Sequence, residues 1–156
     1  MGPQDFLSRA AAAGLHPDVQ ELAASTRTAQ EAAEAVGCSQ REIVKSLVFL
    51  ADDEPVVVLQ RGDRRVDPGR LRTLLGAAQV RRADADRVYA ETGYAIGGVP
   101  PLAHLRPLRT VIDACIADDE RLFAAAGGPS ALFATSGGEL RRLSGAEVAC
   151  CCAEDP

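Results

Sequence analysis

Ile43-Val-Lys-Ser-Leu-Val-Phe-Leu50, then Ala51, the segment Asp52-Asp-Glu-Pro55 and the run Val56-Val-Val-Leu59 decide the fold. Two β-branched, apolar runs separated by an acidic, proline-bearing turn predict a β-hairpin over 43–60. Alternation along the first run puts Ile43, Lys45, Leu47 and Phe49 on one face. Lys45 thereby shares a face with apolar side chains, which is costly for an ammonium without a cavity or an anion beside it. It is also the single lysine among seventeen basic residues, the other sixteen being arginine. A point charge on a flexible stem differs chemically from a planar guanidinium. Lys45 is therefore a candidate for chemistry, and the alternative is a lysine snorkelling from a strand end.

Outward from the hairpin, short elements alternate. An Ala-rich helix is expected over 3–14, ended by Gly14, and a strand over 19–24. Thr28 and Glu31 have capping-box spacing and open a helix to about Gly37, and Ser39 caps one further turn. Asp67-Pro68 places an N-cap before a proline at N1, launching a helix that stops at Gly76. A short strand at 79–81 and a helix from Asp84 to about Gly93 follow. Strands are expected at 109–112, 121–126 and 131–135, then a helix opened by Ser136 and Glu139, and a closing strand at 148–149. The expected fold class is α+β: a single domain with a mixed, mostly antiparallel sheet, partly barrel-like and surrounded by short helices. With 156 residues, 47% of them hydrophobic, the chain is large enough for one proper core.

Composition excludes several classes of function. No apolar run reaches the ~18–20 residues needed to span a bilayer, and no secretory signal is visible at the N-terminus, so a cytoplasmic location is expected. The two histidines and five cysteines lack zinc-binding spacing, so no metal and no cofactor is expected. Cys150-Cys-Cys152 reads as a strand end plus a tail over 150–156, with a redox or metal patch as the alternative. Phosphate-loop, dinucleotide, nucleophile-elbow and zincin motifs are absent. Net charge is −5, yet residues 61–87 hold eight arginines against four aspartates. Such a strip is either a solvated face of alternating charge or a basic surface for phosphates. What remains for catalysis is Lys45 and the loop Tyr94-Ala-Ile-Gly-Gly-Val-Pro-Pro101. Its glycines permit close approach of a substrate carbonyl, although a pair such as Gly97-Gly98 is more often just a tight turn.

Four segments in this order, Ile43–Phe49, Gly62-Asp-Arg-Arg-Val-Asp67, Leu74-Leu-Gly-Ala77 and Thr92-Gly-Tyr-Ala-Ile-Gly-Gly-Val-Pro-Pro-Leu-Ala-His104, resemble the YbaK/EbsC aminoacyl-tRNA deacylases. These are free-standing relatives of the editing domain inserted into bacterial prolyl-tRNA synthetases. The resemblance covers about 25–149. It implies trans-editing: hydrolysis of the ester of a mischarged small amino acid on tRNA, without metal or cofactor. The implied partner is the acceptor end of aminoacyl-tRNA, with a synthetase as an open second partner and neither membrane nor DNA. Lys45 then positions the tRNA 3′ end and Gly97 supplies a backbone amide. Gly98, Val99 and Pro101 complete the loop, and Ser46, facing away from Lys45, has a supporting role. His104 is placed to touch the terminal adenosine or to sit on the surface. Asp113 is placed to contact the substrate ammonium or to cap the next turn. Arg61, Arg64 and Arg65 would lie near RNA phosphates.

Departures from the family pattern leave the preferred amino acid open. Pro100 stands where a serine is usual and Ala103 where a glycine is usual. Leu132 aligns where the cysteine-editing branch has an aspartate. They also keep an alternative alive: a catalytically inactive tRNA-binding or regulatory domain of the same fold.

Overall fold

The computed structural model describes residues 1–23, 26 and 28–153. The hairpin forms as β2 (Val44–Ala51) and β3 (Glu54–Arg61) in continuous antiparallel register from Val44–Arg61 to Ala51–Glu54. Its turn is tighter than the sequence predicts. Only Asp52 and Asp53 are outside the ladder, at φ +47° and +69°, as a two-residue primed turn requires. The Asp52 carboxylate accepts from the Ala78 and Gln79 N–H groups, tying the turn to the segment that precedes β4 (Val80–Arg82).

Five strands make one sheet, ordered β4-β2-β3-β5-β8, with β5 at Arg109–Asp113 and β8 at Glu147–Ala149. β3–β5 and β5–β8 are parallel, whereas β2 pairs antiparallel with β3 and β4. β1 (Val19–Glu21), β7 (Ala131–Ser136) and β6 (Arg121–Ala125) form a second, fully antiparallel sheet. The expected mixed, mostly antiparallel α+β architecture is present, with its strands divided between two sheets. A single isolated bridge, Ile43–Phe123, links the two among the described residues. Ala24, the last residue of the first expected strand, lies outside the described residues.

Both faces of the five-stranded sheet are buried, so the middles of its central strands, Leu47–Ala51 and Val56–Leu59, are continuously apolar rather than alternating, with polar residues only towards the strand ends. Val44, Val48, Val57, Leu59 and Ile112 pack against Phe6 of α1 (Pro3–Ala12), Tyr94, Leu122, Phe133 and Leu140 of α5 (Gly137–Ser144). Phe49, Val56, Val58 and Val111 pack on the other face against Leu71 of α3 (Pro68–Leu75) and Cys151. Ile43 belongs to neither group. It joins Ala32 and Ala33 of α2 (Ala29–Val36) and Leu132 in a third cluster, so the face expected for Ile43 with Leu47 and Phe49 ends at Lys45. Each fully buried aliphatic side chain contributes about 1.5–3 kcal/mol.

Helix starts follow their caps. Thr28, Asp67, Asp84 and Ser136 each accept a backbone N–H of the first helical turn, satisfying donors the helix leaves unpaired. Asp84 opens α4 (Ala85–Thr92).

Asp113, the last residue of β5, is 1% exposed. Its carboxylate accepts from Gln60 Nε2 at 2.9 Å, Cys115 N–H at 2.9 Å and Cys151 N–H at 3.2 Å. The substrate-contact role read for it is therefore corrected to the capping one. The same bonds correct the expected tail: Cys151 is fully buried, Asp67 N–H donates to its carbonyl, and Val66 bridges Cys152. The chain stays docked through Ala153, whose N–H donates to the Arg65 carbonyl, and residues 154–156 lie outside the described residues. All five cysteines are free thiols, and the described residues contain no cluster able to hold a metal ion.

Two substitutions test this account. Burial raises the Asp113 carboxyl, but hydrogen bonds from Cys115 N–H, Gln60 and the Cys115 and Cys151 thiols outweigh it and hold the pKa below the usual value. A depressed pKa contributes stability present above the unfolded value of ~3.9, lost as pH falls through the lower folded value. Asp113→Asn should cost about 2–3 kcal/mol at pH 7 by urea denaturation, and the gap to wild type should narrow below about pH 4. Ala103, at φ +65°, carries the left-handed penalty of about 1–2 kcal/mol for a residue with a Cβ. Ala103→Gly should therefore gain about 0.5–1 kcal/mol after its unfolded-state entropy cost, raising Tm by about 2 °C in a thermal scan.

Candidate functional site

β4 covers only the Phe49–Ala51 end of the outer edge of β2, with one further bond from Ala83 N–H to the Val48 carbonyl. Beyond that point the edge opens into a cleft of about 410 Å³. Val44, Lys45, Ser46 and Val48 form one wall, and Ile96, Gly97 and Val99 another. Ala29 and Ala32 of α2 and Val88 of α4 also line it, as do Ala125 of β6 and Leu132 of β7. Strand pairing explains why the cleft lies here: an uncovered strand edge exposes unpaired backbone groups that only a ligand, water or another segment can satisfy.

Lys45 is half-buried in this wall, and its Nζ donates to the Arg64 carbonyl. Burial, then the charges of Arg82 and Arg65, push its pKa below the usual lysine value, with Asp63 acting in the opposite direction. Arg82 lines the cleft mouth with its guanidinium 5.5 Å over the Phe49 ring. No carboxylate lines the cleft among the described residues, so its field is positive and fits an anionic ligand.

The opposite wall is braced from behind. Tyr94 is buried and its hydroxyl donates to the Ala103 carbonyl. His104 is also buried, and its Nε2 lies 2.7 Å from the Pro100 carbonyl, so the tautomer there carries a proton on Nε2. Burial lowers the His104 pKa against the smaller raising effect of that bond. Neither role read for this residue holds: it is neither on the surface nor in the cleft. Pro101 likewise sits on the far side, facing α1. Gly97 reaches the cleft at φ +91°, a conformation that favours glycine. Its N–H makes no hydrogen bond among the described residues, whereas Gly98 N–H closes the turn onto the Ala95 carbonyl. Gly98 is buried for a different reason. A Cβ there would lie 2.8 Å from Gly128 Cα, so the bare backbones of two loops touch and set the height of the loop wall.

Of the residues singled out from the sequence, Lys45, Ser46, Gly97 and Val99 line this one cleft, whereas Gly98, Pro101, His104 and Asp113 lie outside its lining. Of the basic residues, Arg61 is corrected. It is 6% exposed and paired with Asp63 at 2.6 Å, so its charge is consumed internally. Arg64 is partly buried and Arg65 exposed beside Lys45. Thr26, Val44, Arg82 and Val88 were missed. Thr26 carries no local signal, and Val44 and Val88 read simply as core.

The Aminoacyl-tRNA editing domain model matches residues 23–143. The chain is 36% identical over 87 residues to the proline–tRNA ligase of Maridesulfovibrio salexigens, covering 55% of this chain but 15% of the ligase. The chain therefore spans only a small part of such ligases. An uncharacterized Bacillus subtilis protein, YwhH, is 29% identical over 132 residues, covering 84% of this chain and 83% of that one. Among solved structures, a candidate trans-editing enzyme for prolyl tRNA synthetase superposes with a TM-score of 0.91 at 40% identity, over 97% of each chain. With the family model covering most of its length, the chain belongs to the aminoacyl-tRNA editing domain family.

Proposed function

We propose that this protein hydrolyses, in trans, the ester joining a mischarged small amino acid to the 3′ end of tRNA. The observation that carries this reading is the placement of Lys45 and Gly97 on opposite walls of one positively charged cleft. The Lys45 ammonium and Arg82 would hold the terminal nucleotide at the mouth. The amino acid would enter between Val44, Val88 and Leu132. The unengaged Gly97 N–H would then donate to the ester carbonyl, and more strongly to the oxyanion formed when water attacks it. Water adds to the carbonyl carbon, the ester C–O bond breaks, and the ribose oxygen leaves with a proton. No histidine or carboxylate lines the cleft among the described residues, so the protein's contribution is orientation and electrostatics rather than general-base strength. The cleft's size limits the side chain, and a hydrolytic second sieve has a clear use. A pocket alone gains only ~1–3 kcal/mol of discrimination per methylene.

Binding of the RNA body would rest on Arg65 and on the backbone of 62–66, with a synthetase as the source of charged tRNA. The similarity to proline–tRNA ligases supports that partner.

Deacylation of Ala-, Ser-, Thr- and Cys-charged tRNAs should show turnover of one or two species, and Lys45→Ala should lower kcat/KM by about 100-fold, the cost of losing a charge-assisted phosphate contact. Retained RNA binding with no turnover of any species would instead identify a binding domain. Arg65→Gln should weaken tRNA binding alike for all acceptors and reduce the slope of log K against log salt by about 0.7–0.9, one phosphate contact's share.

A further inference from the structure

Ser46 stands on the inward face of β2 between Val44 and Val48, both 3% exposed. Its Oγ is buried and has no hydrogen-bond partner. Buried hydroxyls are nearly always satisfied, and one that is not needs a reason. Of the other polar side chains of the lining, Arg82 stacks on the Phe49 ring and four are hydrogen-bonded. Thr26 Oγ1 donates to the Pro129 carbonyl, and Thr28 Oγ1 accepts from Glu31 N–H. Gln40 donates to the Gly62 carbonyl and Lys45 to the Arg64 carbonyl.

The floor around Ser46 is otherwise hydrocarbon, contributed by Val44, Val48, Val88 and Leu132. The position also separates it from Lys45, whose side chain leaves the opposite face of the strand. With the nucleotide held at the Lys45 end, Ser46 Oγ is at the end that receives the amino-acid side chain. An ammonium would be a poor occupant there, because a buried charge needs a counter-charge that the lining lacks. A neutral hydroxyl on a short side chain both fills the space and completes the bond.

We infer that Ser46 Oγ is the hydrogen-bonding contact for a hydroxyl on the substrate's own side chain, so that the cleft selects small hydroxylated aminoacyl esters over their unhydroxylated counterparts. This rests on the reading of the cleft given under Proposed function. A site built to bond a hydroxyl discriminates against an analogue lacking it, because its own polar group is then left unpaired.

The test compares wild type and Ser46→Ala in two assays. The first is the ratio of kcat/KM for seryl-tRNA over alanyl-tRNA. The second is the ratio of affinities for the non-hydrolysable 3′-amide analogues of seryl- and alanyl-adenosine, read by calorimetry. Wild type should favour the seryl species by about 10- to 100-fold in each, and Ser46→Ala should bring both ratios close to one. Thermal unfolding of the free variant should occur about 2 °C higher, since the orphaned hydroxyl is gone. A wild-type ratio at or below one, or ratios unchanged in Ser46→Ala, would overturn the inference. Equal loss on both substrates would also do so, and would make Ser46 a water-holding residue. Discrimination between the analogues without turnover of either tRNA would leave the inference standing and remove the hydrolytic reading instead.

Discussion

Burial of the β2–β3 hairpin on both faces is the constraint from which the rest follows. Val44, Val48, Val57 and Leu59 on one side, and Phe49, Val56 and Val58 on the other, leave no room in the sheet centre for a charge. Polar function is therefore confined to places where strand pairing stops. β4 stops short along β2, and the uncovered stretch carries Lys45 and Ser46, one on each face. A single strand edge thus presents a cation and a hydroxyl to a common cleft from opposite faces of the sheet. Such an arrangement arises only at an edge.

The opposing wall obeys a second constraint, close contact between loops. Gly98 against Gly128 leaves no space for a Cβ, and the His104–Pro100 and Tyr94–Ala103 hydrogen bonds hold the far side. The two prolines stiffen what these contacts position. Gly97 is exposed in this loop and lines the cleft, while Tyr94 and His104 are buried behind it. Loops carry function when a rigid frame positions them, and here the frame joins side chains of the same loop to the backbone of the Gly128 loop.

Much of this was legible in one dimension. Caps at Thr28, Asp67, Asp84 and Ser136, and stops at Gly37, Gly76 and Gly93, are local chemistry, and each helix begins and ends where they direct. The hairpin was legible for the same reason. Division into two sheets was not, because β1–β7 pairing joins residues more than a hundred positions apart, and no local pattern records it. Residue roles failed where direction mattered. Asp113 and Arg61 look available in sequence, but Asp113 is enclosed by Gln60, Cys115 and Cys151, and Arg61 by Asp63 two residues on. A charged residue at a strand end points to solvent or to a buried partner, and only the fold selects between them. The cysteine run misled in the opposite way: it reads as a tail, yet Cys151 is core because the buried Asp113 carboxylate requires its donors.

The departures from the family pattern acquire a physical meaning in this setting. Pro100 removes a hydroxyl and an N–H from the loop wall, and its carbonyl is occupied by His104. Leu132 adds hydrocarbon to the floor, where an aspartate would have brought a charge. Leu132 subtracts polarity from the cleft lining itself, whereas Pro100 lies behind the wall and outside the lining; a less polar lining strengthens whatever electrostatic contacts remain. Fewer groups then carry more of the recognition. In a dry cleft each unpaired donor or acceptor costs more, so a ligand that fails to complete it is rejected more sharply than in a wet one. Loss of polar groups from the loop and floor is therefore compatible with a selective site, provided the few that remain face the ligand. Under the proposed function, Lys45 at the mouth and the Gly97 amide opposite would meet that condition through the strand edge and the braced loop described above.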